Sequence, residues 1–108
     1  MINKIIFLTI KFLKKLNLDR LLFDKIFFYI GLNQISKNRE IYNDVKNIQE
    51  VELKIFSQNG EDGIVDYLLS KLKLIPNSTN FIEIGVGDYR ESNTRFIYNR
   101  FHPKGLIV

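Results

Sequence analysis

The sequence predicts an α/β fold in which a helical arm leads into the first part of a parallel sheet. Three observations carry this. Lysines and bulky apolar residues alternate at helical spacing over the first thirty or so positions. Ile64, Leu68 and Leu72 recur at four-residue steps after a turn-forming Asn59-Gly60. Two short apolar runs, Phe81–Ile84 and Leu106–Val108, stand some 21 residues apart, enough for a helical crossover between parallel strands.

The arm, residues 1–32, carries Lys4, Lys11 and Lys15 within about 40° of one another at 100° per residue, while Ile6, Ile10 and Leu13 point elsewhere. Leu8 and Leu18 intrude on the basic stripe. A second apolar helix is expected from Leu21 to Ile30, with Gly31 as its C-terminal cap. Two readings of the arm compete: a helix packed on its own domain or a partner, and a membrane-surface helix with its lysines toward anionic lipid. Residues 33–54 read as a polar connecting segment, with one helix from about Lys37 to Gln49.

Residues 55–108 parse more readily. A helix is expected over Glu61–Leu74, with Glu61 and Asp62 at the positive end of its dipole, and Pro76 with the polar run Asn77–Asn80 to stop it. A strand Phe81–Ile84 then runs into Gly85-Val86-Gly87. Ser92 or Asn93 caps a further helix whose apolar side is Phe96, Ile97 and Tyr98. His102-Pro103-Lys104-Gly105 is a turn into the second strand.

Composition narrows the function. The 108 residues have room for one small domain, and their apolar and charged fractions are those of an ordinary folded protein. Cysteine is absent and His102 is the only histidine, which argues against disulfides and against a metal centre. Residues 1–50 hold nine Lys or Arg against five Asp or Glu, and residues 51–108 hold seven of each, so the basic surplus belongs to the first half. No aromatic-interleaved basic patch or nucleic-acid motif accompanies it, so no nucleic-acid partner is expected. Lysines interrupt the first apolar stretch well short of the roughly 20 residues a membrane span needs, and Ile5–Ile10 is too short for a signal-peptide core. The expectation is a cytoplasmic protein, with peripheral membrane contact through residues 1–30 as the alternative placement. Without a secretory signal, Asn77-Ser78-Thr79 reads as a polar loop rather than a glycosylation acceptor.

The residues that suggest chemistry are Phe81-Ile82-Glu83-Ile84-Gly85-Val86-Gly87-Asp88. A strand that delivers a carboxylate and then two glycines, one residue apart, suits a nucleoside-containing ligand, because glycines let it approach the backbone. The dinucleotide fingerprint wants a third glycine where Arg90 stands, and an acid at Glu83 would oppose a pyrophosphate. A cationic, phosphate-free ligand fits better. The competing structural reading is a strand followed by a glycine-rich turn and nothing more.

The Phe81–Gly87 run resembles motif I of class I methyltransferases, in which an acid precedes a G-x-G turn. With Phe56-Ser57-Gln58-Asn59-Gly60-Glu61-Asp62-Gly63-Ile64 before it, Glu91-Ser92-Asn93-Thr94-Arg95 after it and the turn into Gly105–Val108, the second half is similar to FkbM-like methyltransferase-domain proteins. The resemblance implies a Rossmann-like sheet, S-adenosylmethionine as cofactor, and methyl transfer to a small-molecule or sugar acceptor. Carried over by position, Glu83, Gly85 and Gly87 would line the methionine and ribose side of the cofactor. Gln58, Glu61 and Asp62 would border the same cavity or, alternatively, cap their helix. Asn93 and Thr94 would contact the cofactor or cap theirs. Tyr89 stands where the family often has a third glycine. The acid that holds the ribose hydroxyls in the family would fall just past Val108, so the resemblance implies an incomplete domain, inactive by itself. The alternative functions are an interaction module on a degenerate half-domain, docked to a membrane surface or a partner, and a remnant without function.

His102 is expected in a solvated loop, Arg90, Arg95 and Arg100 on a solvated face, and Tyr67 and Phe96 in the core.

Overall fold

A computed structural model describes residues 1–74 and 78–108, with the side chain of Leu18 outside the description. Pro76 and Asn77, read above as part of the helix stop and the glycosylation pattern, lie outside the described residues. The chain divides into two compact units, Met1–Ile30 and Gly31–Val108.

Helix α1 spans Ile2–Lys15 and buries none of its residues. It stops without glycine or proline. The Leu16 amide donates to Phe12 O and that of Asn17 to Lys14 O, and Asn17 then takes φ +54°. Asparagine tolerates this left-handed conformation better than most residues. Helix α2 follows over Leu18–Glu40.

The expected stop at Gly31 is corrected here, because α2 runs through that residue for nine more positions. Gly31 serves packing instead. A Cβ there would come within 2.7 Å of the Ile55 side chain and 2.8 Å of the Phe96 ring. The helix expected over Lys37–Gln49 is likewise replaced by the end of α2, turns at 41–44 and a short 3-10 helix, Ile48–Val51. Asn47 caps the latter by accepting the Gln49 amide at 3.2 Å.

Helix α3 spans Glu61–Lys71, three residues shorter than its apolar pattern suggests. Lys73 takes φ +55°, its amide donates to Ser70 O, and the Leu74 amide reaches back to Leu69 O at 2.9 Å. This paired closure satisfies the last carbonyls before the chain leaves the helix.

Strands β1 (Phe81–Glu83) and β2 (Gly105–Ile107) form a two-stranded parallel sheet, with Phe81 opposite Gly105 and Glu83 opposite Ile107. Helix α4, Arg95–Phe101, makes the connection. The fold is therefore mixed, with helices and a small parallel sheet in the α/β order expected. Gly105 leaves room for the Phe81 ring, which would have to shift if a Cβ stood there. The core of the second unit is Ile35, Tyr42, Val51, Phe56, Phe96 and Ile97. Phe96 is wholly buried as expected, and Tyr67 is half-buried with its ring edge-on to Tyr42.

A buried ionic cluster ties three helices of this unit together. The Asp66 carboxylate accepts from Arg39 Nη2 at 2.8 Å and Nε at 3.1 Å, from Arg100 Nη1 at 2.7 Å and from the Tyr42 hydroxyl at 2.7 Å. Arg100, expected on a solvated face, is instead only 8 % exposed, with its guanidinium against the Phe96 and Phe101 rings. Arg95 lies half-buried, its guanidinium 4.0 Å from the Phe56 ring centre. Arg90 is exposed and pairs with Asp88.

Among the described residues no helix is long and apolar enough to cross a membrane.

Candidate functional site

The candidate site lies where β1 ends. Backbone pairing continues one step past the strand, with Val108 N donating to Glu83 O at 2.9 Å and Gly85 N to Val108 O at 2.7 Å. The chain then turns. Gly85 takes φ +83° and Gly87 φ +57°, conformations that cost a side-chain-bearing residue about 1 kcal/mol or more. A Cβ at either glycine would meet no atom within 4 Å. The glycines are thus required by backbone conformation and not by crowding, and the turn presents bare backbone to open space.

The Glu83 carboxylate faces the start of α4. Its Oε2 accepts from the Ser92 hydroxyl at 2.6 Å, from the Thr94 amide at 3.0 Å and from the Thr94 hydroxyl, and Oε1 accepts from the Asn93 amide at 2.8 Å. Partial burial works against ionisation, but these hydrogen bonds outweigh it and hold the Glu83 carboxyl below the usual carboxylate range. Oε1 accepts one bond against three at Oε2, so it keeps acceptor capacity.

A polar cleft of about 190 Å³ opens beside this carboxylate, lined by Gln58, Glu83, Ile84, Gly85, Val86, Glu91, Ser92 and Asn93. Two carboxylates and two side-chain amides line it, with no basic residue. Its volume is below the ~300 Å³ at which pockets begin to enclose a drug-sized ligand, so it suits one edge of such a molecule. A second cavity, between Val65, Leu69, Phe81, Ile97 and Pro103 with Thr79, Asn80 and Thr94 also at its wall, is mainly apolar and has no carboxylate in its lining.

The cleft brings together four of the eight residues singled out from sequence: Gln58, Glu83, Gly85 and Asn93. Thr94 adjoins it through Glu83, and Gly87 belongs to the same turn. Glu61 and Asp62 do not line it. Glu61 Oε2 accepts the Asn59 amide at 2.7 Å, which lowers its pKa. Asp62 is buried, and its Oδ2 accepts the amides of Ile55, Phe56 and Ser57 at 2.7–3.0 Å. The Ser57 hydroxyl accepts the Asp62 amide in return. Gly63 completes this lock, since a Cβ there would lie 1.9 Å from Val51 O. The Ser57–Gly63 block therefore folds the approach to α3, where both acids hold amides upstream of the helix and neither side chain caps it.

Glu91 and Ser92 line the cleft without having been singled out as binding residues. Both stand in the Glu91–Arg95 block, whose sequence points to Ser92 as a helix cap. Among the described residues no group of His, Asp or Glu could hold a metal ion.

Comparison of the chain with protein-family models, curated proteins and solved structures finds no match.

Proposed function

We propose that residues 55–108 form the cofactor edge of an S-adenosylmethionine-dependent methyltransferase-type domain, acting on a small-molecule or sugar acceptor. The observation that carries this is the bare Gly85-Val86-Gly87 turn beside a cleft lined by Glu83 and Glu91 and lacking any basic residue. A cleft of that charge repels phosphates and favours a ligand bearing ammonium or sulfonium. The residues fit the cofactor's methionine end: Gly85 and Gly87 leave room over the backbone, Glu83 Oε1 retains acceptor capacity, and the amides of Gln58 and Asn93 supply further polar contacts. When bound, the cofactor supplies a methyl group on positive sulfur, which passes to a nucleophilic acceptor. The chain's own part is to hold and orient that group.

Calorimetric titration of S-adenosylmethionine and S-adenosylhomocysteine into the full chain, with a thermal melt alongside, tests the reading. Saturable binding is expected, tighter for the charged sulfonium and weakened about tenfold or more by Gly85→Ala, whose new Cβ stands over the open turn. A cooperative melt with no saturable binding of either compound would sink the proposal.

A further inference from the structure

The first unit presents a surface that the cofactor reading leaves unused. Helix α1 buries nothing, and Ile2, Ile5, Ile6, Ile10 and Phe12 are between 46 % and 74 % exposed. On a regular helix these five fall within an arc of about 160°. Lys4, Lys11, Lys14 and Lys15 occupy an arc of about 100° on the opposite side. The helix carries no acidic residue.

We infer that α1 lies flat in the surface of an anionic lipid bilayer, with its isoleucine and Phe12 face among the acyl chains and its lysines reaching up to the headgroups. Three physical points favour lipid over other occupants. A cluster of lysines with no acid on its own helix is complementary to anionic headgroups. Lysine stems can lie along apolar surface while their ammonium groups stay wet. The apolar arc is also wider than the narrow seam that one partner helix covers, and acids that could pair with the lysines across a two-helix contact are missing from it. At 14 residues the helix is about 21 Å long, short of the ~30 Å hydrocarbon thickness, so it lies in the interface and does not span it. This inference stands independently of the cofactor reading.

The chain has no tryptophan, so a single introduced one reports its own surroundings. Phe12→Trp, on the apolar face, should shift its emission to the blue with phosphatidylcholine–phosphatidylglycerol vesicles and be quenched by brominated acyl chains. Phe7→Trp, placed among the lysines, should bind equally well yet be quenched far less. In sedimentation of the otherwise unaltered chain, Lys11→Gln and Lys15→Gln should each weaken partition about fivefold. Equal partition onto pure phosphatidylcholine, or equal quenching at the two positions, would overturn the inference. So would a blue shift that needs no vesicles and grows with protein concentration, which would assign the face to a second copy of the chain.

Discussion

Glu83 Oε2 lies 2.6 Å from Ser92 Oγ, so the carboxylate that ends β1 also holds the start of α4. The same carboxylate takes the amides of Asn93 and Thr94, the two residues that lead into the helix. It therefore builds the rim of the cleft before any ligand arrives.

Glu83→Gln should lower stability by about 2 kcal/mol, because it removes the charge and turns an amide donor toward groups that are themselves donors. Chemical denaturation at neutral pH measures this. The pH dependence has a definite sign. The folded pKa is lowered, so the stabilisation is complete above the ordinary glutamate range and disappears as pH falls through the folded value. Melts of the parent chain and the Gln variant should converge as the pH drops below about 4. A constant gap across that range would show that the charge is not what stabilises the rim.

Asp66 anchors the second unit more deeply. Burial opposes its ionisation, but hydrogen bonds from Arg39, Tyr42 and Arg100 overcome that and lower its pKa. Asp66→Ala leaves Arg100 buried without its partner carboxylate and should cost about 3–5 kcal/mol. Arg39→Ala should cost far less, since that side chain is 49 % exposed and solvent takes over much of its role. Comparable losses from the two substitutions in urea melts would contradict this ordering.

The glycines separate packing from conformation. Gly63→Ala forces a Cβ against the backbone carbonyl of Val51, which cannot swing aside as a side chain would, and about 3 kcal/mol of destabilisation is expected. Gly85→Ala meets no neighbour and pays only for its left-handed backbone, about 1 kcal/mol. Denaturant midpoints for the pair check the difference.

What could be read from sequence was local. The four-residue spacing of Ile64, Leu68 and Leu72 marked α3, and the apolar runs either side of α4 marked β1 and β2, although Leu68, Leu72 and the residues of β2 stay exposed and the buried positions of α3 are Asp62, Gly63 and Asp66. Gly31 misled because glycine has two uses. As a helix terminator it works through φ, whereas here it works through the missing Cβ, and only the neighbours Ile55 and Phe96 reveal which applies. Asp66 and Arg100 lie 34 positions apart, and nothing local distinguishes either from a surface charge. At the site, the strand–acid–G-x-G pattern was legible from backbone chemistry alone. The part played by Glu91 was not, since a lone exposed acid in a loop carries no periodic signal.

Tyr89 shows how a residue out of pattern is accommodated. It takes φ +62°, a conformation that a glycine would adopt freely. Its hydroxyl lies 2.8 Å from Thr94 Oγ1, which in turn contacts Glu83. The hydrogen bond and the backbone cost are each about 1 kcal/mol and oppose one another. Tyr89→Phe keeps the cost and loses the bond, so it should destabilise by about 1 kcal/mol. Tyr89→Gly loses both and should end near the parent, about 1 kcal/mol above the Phe variant. Thermal melts of the three proteins decide it. If Gly proves the least stable, the ring's contacts, and not its hydroxyl, secure the loop.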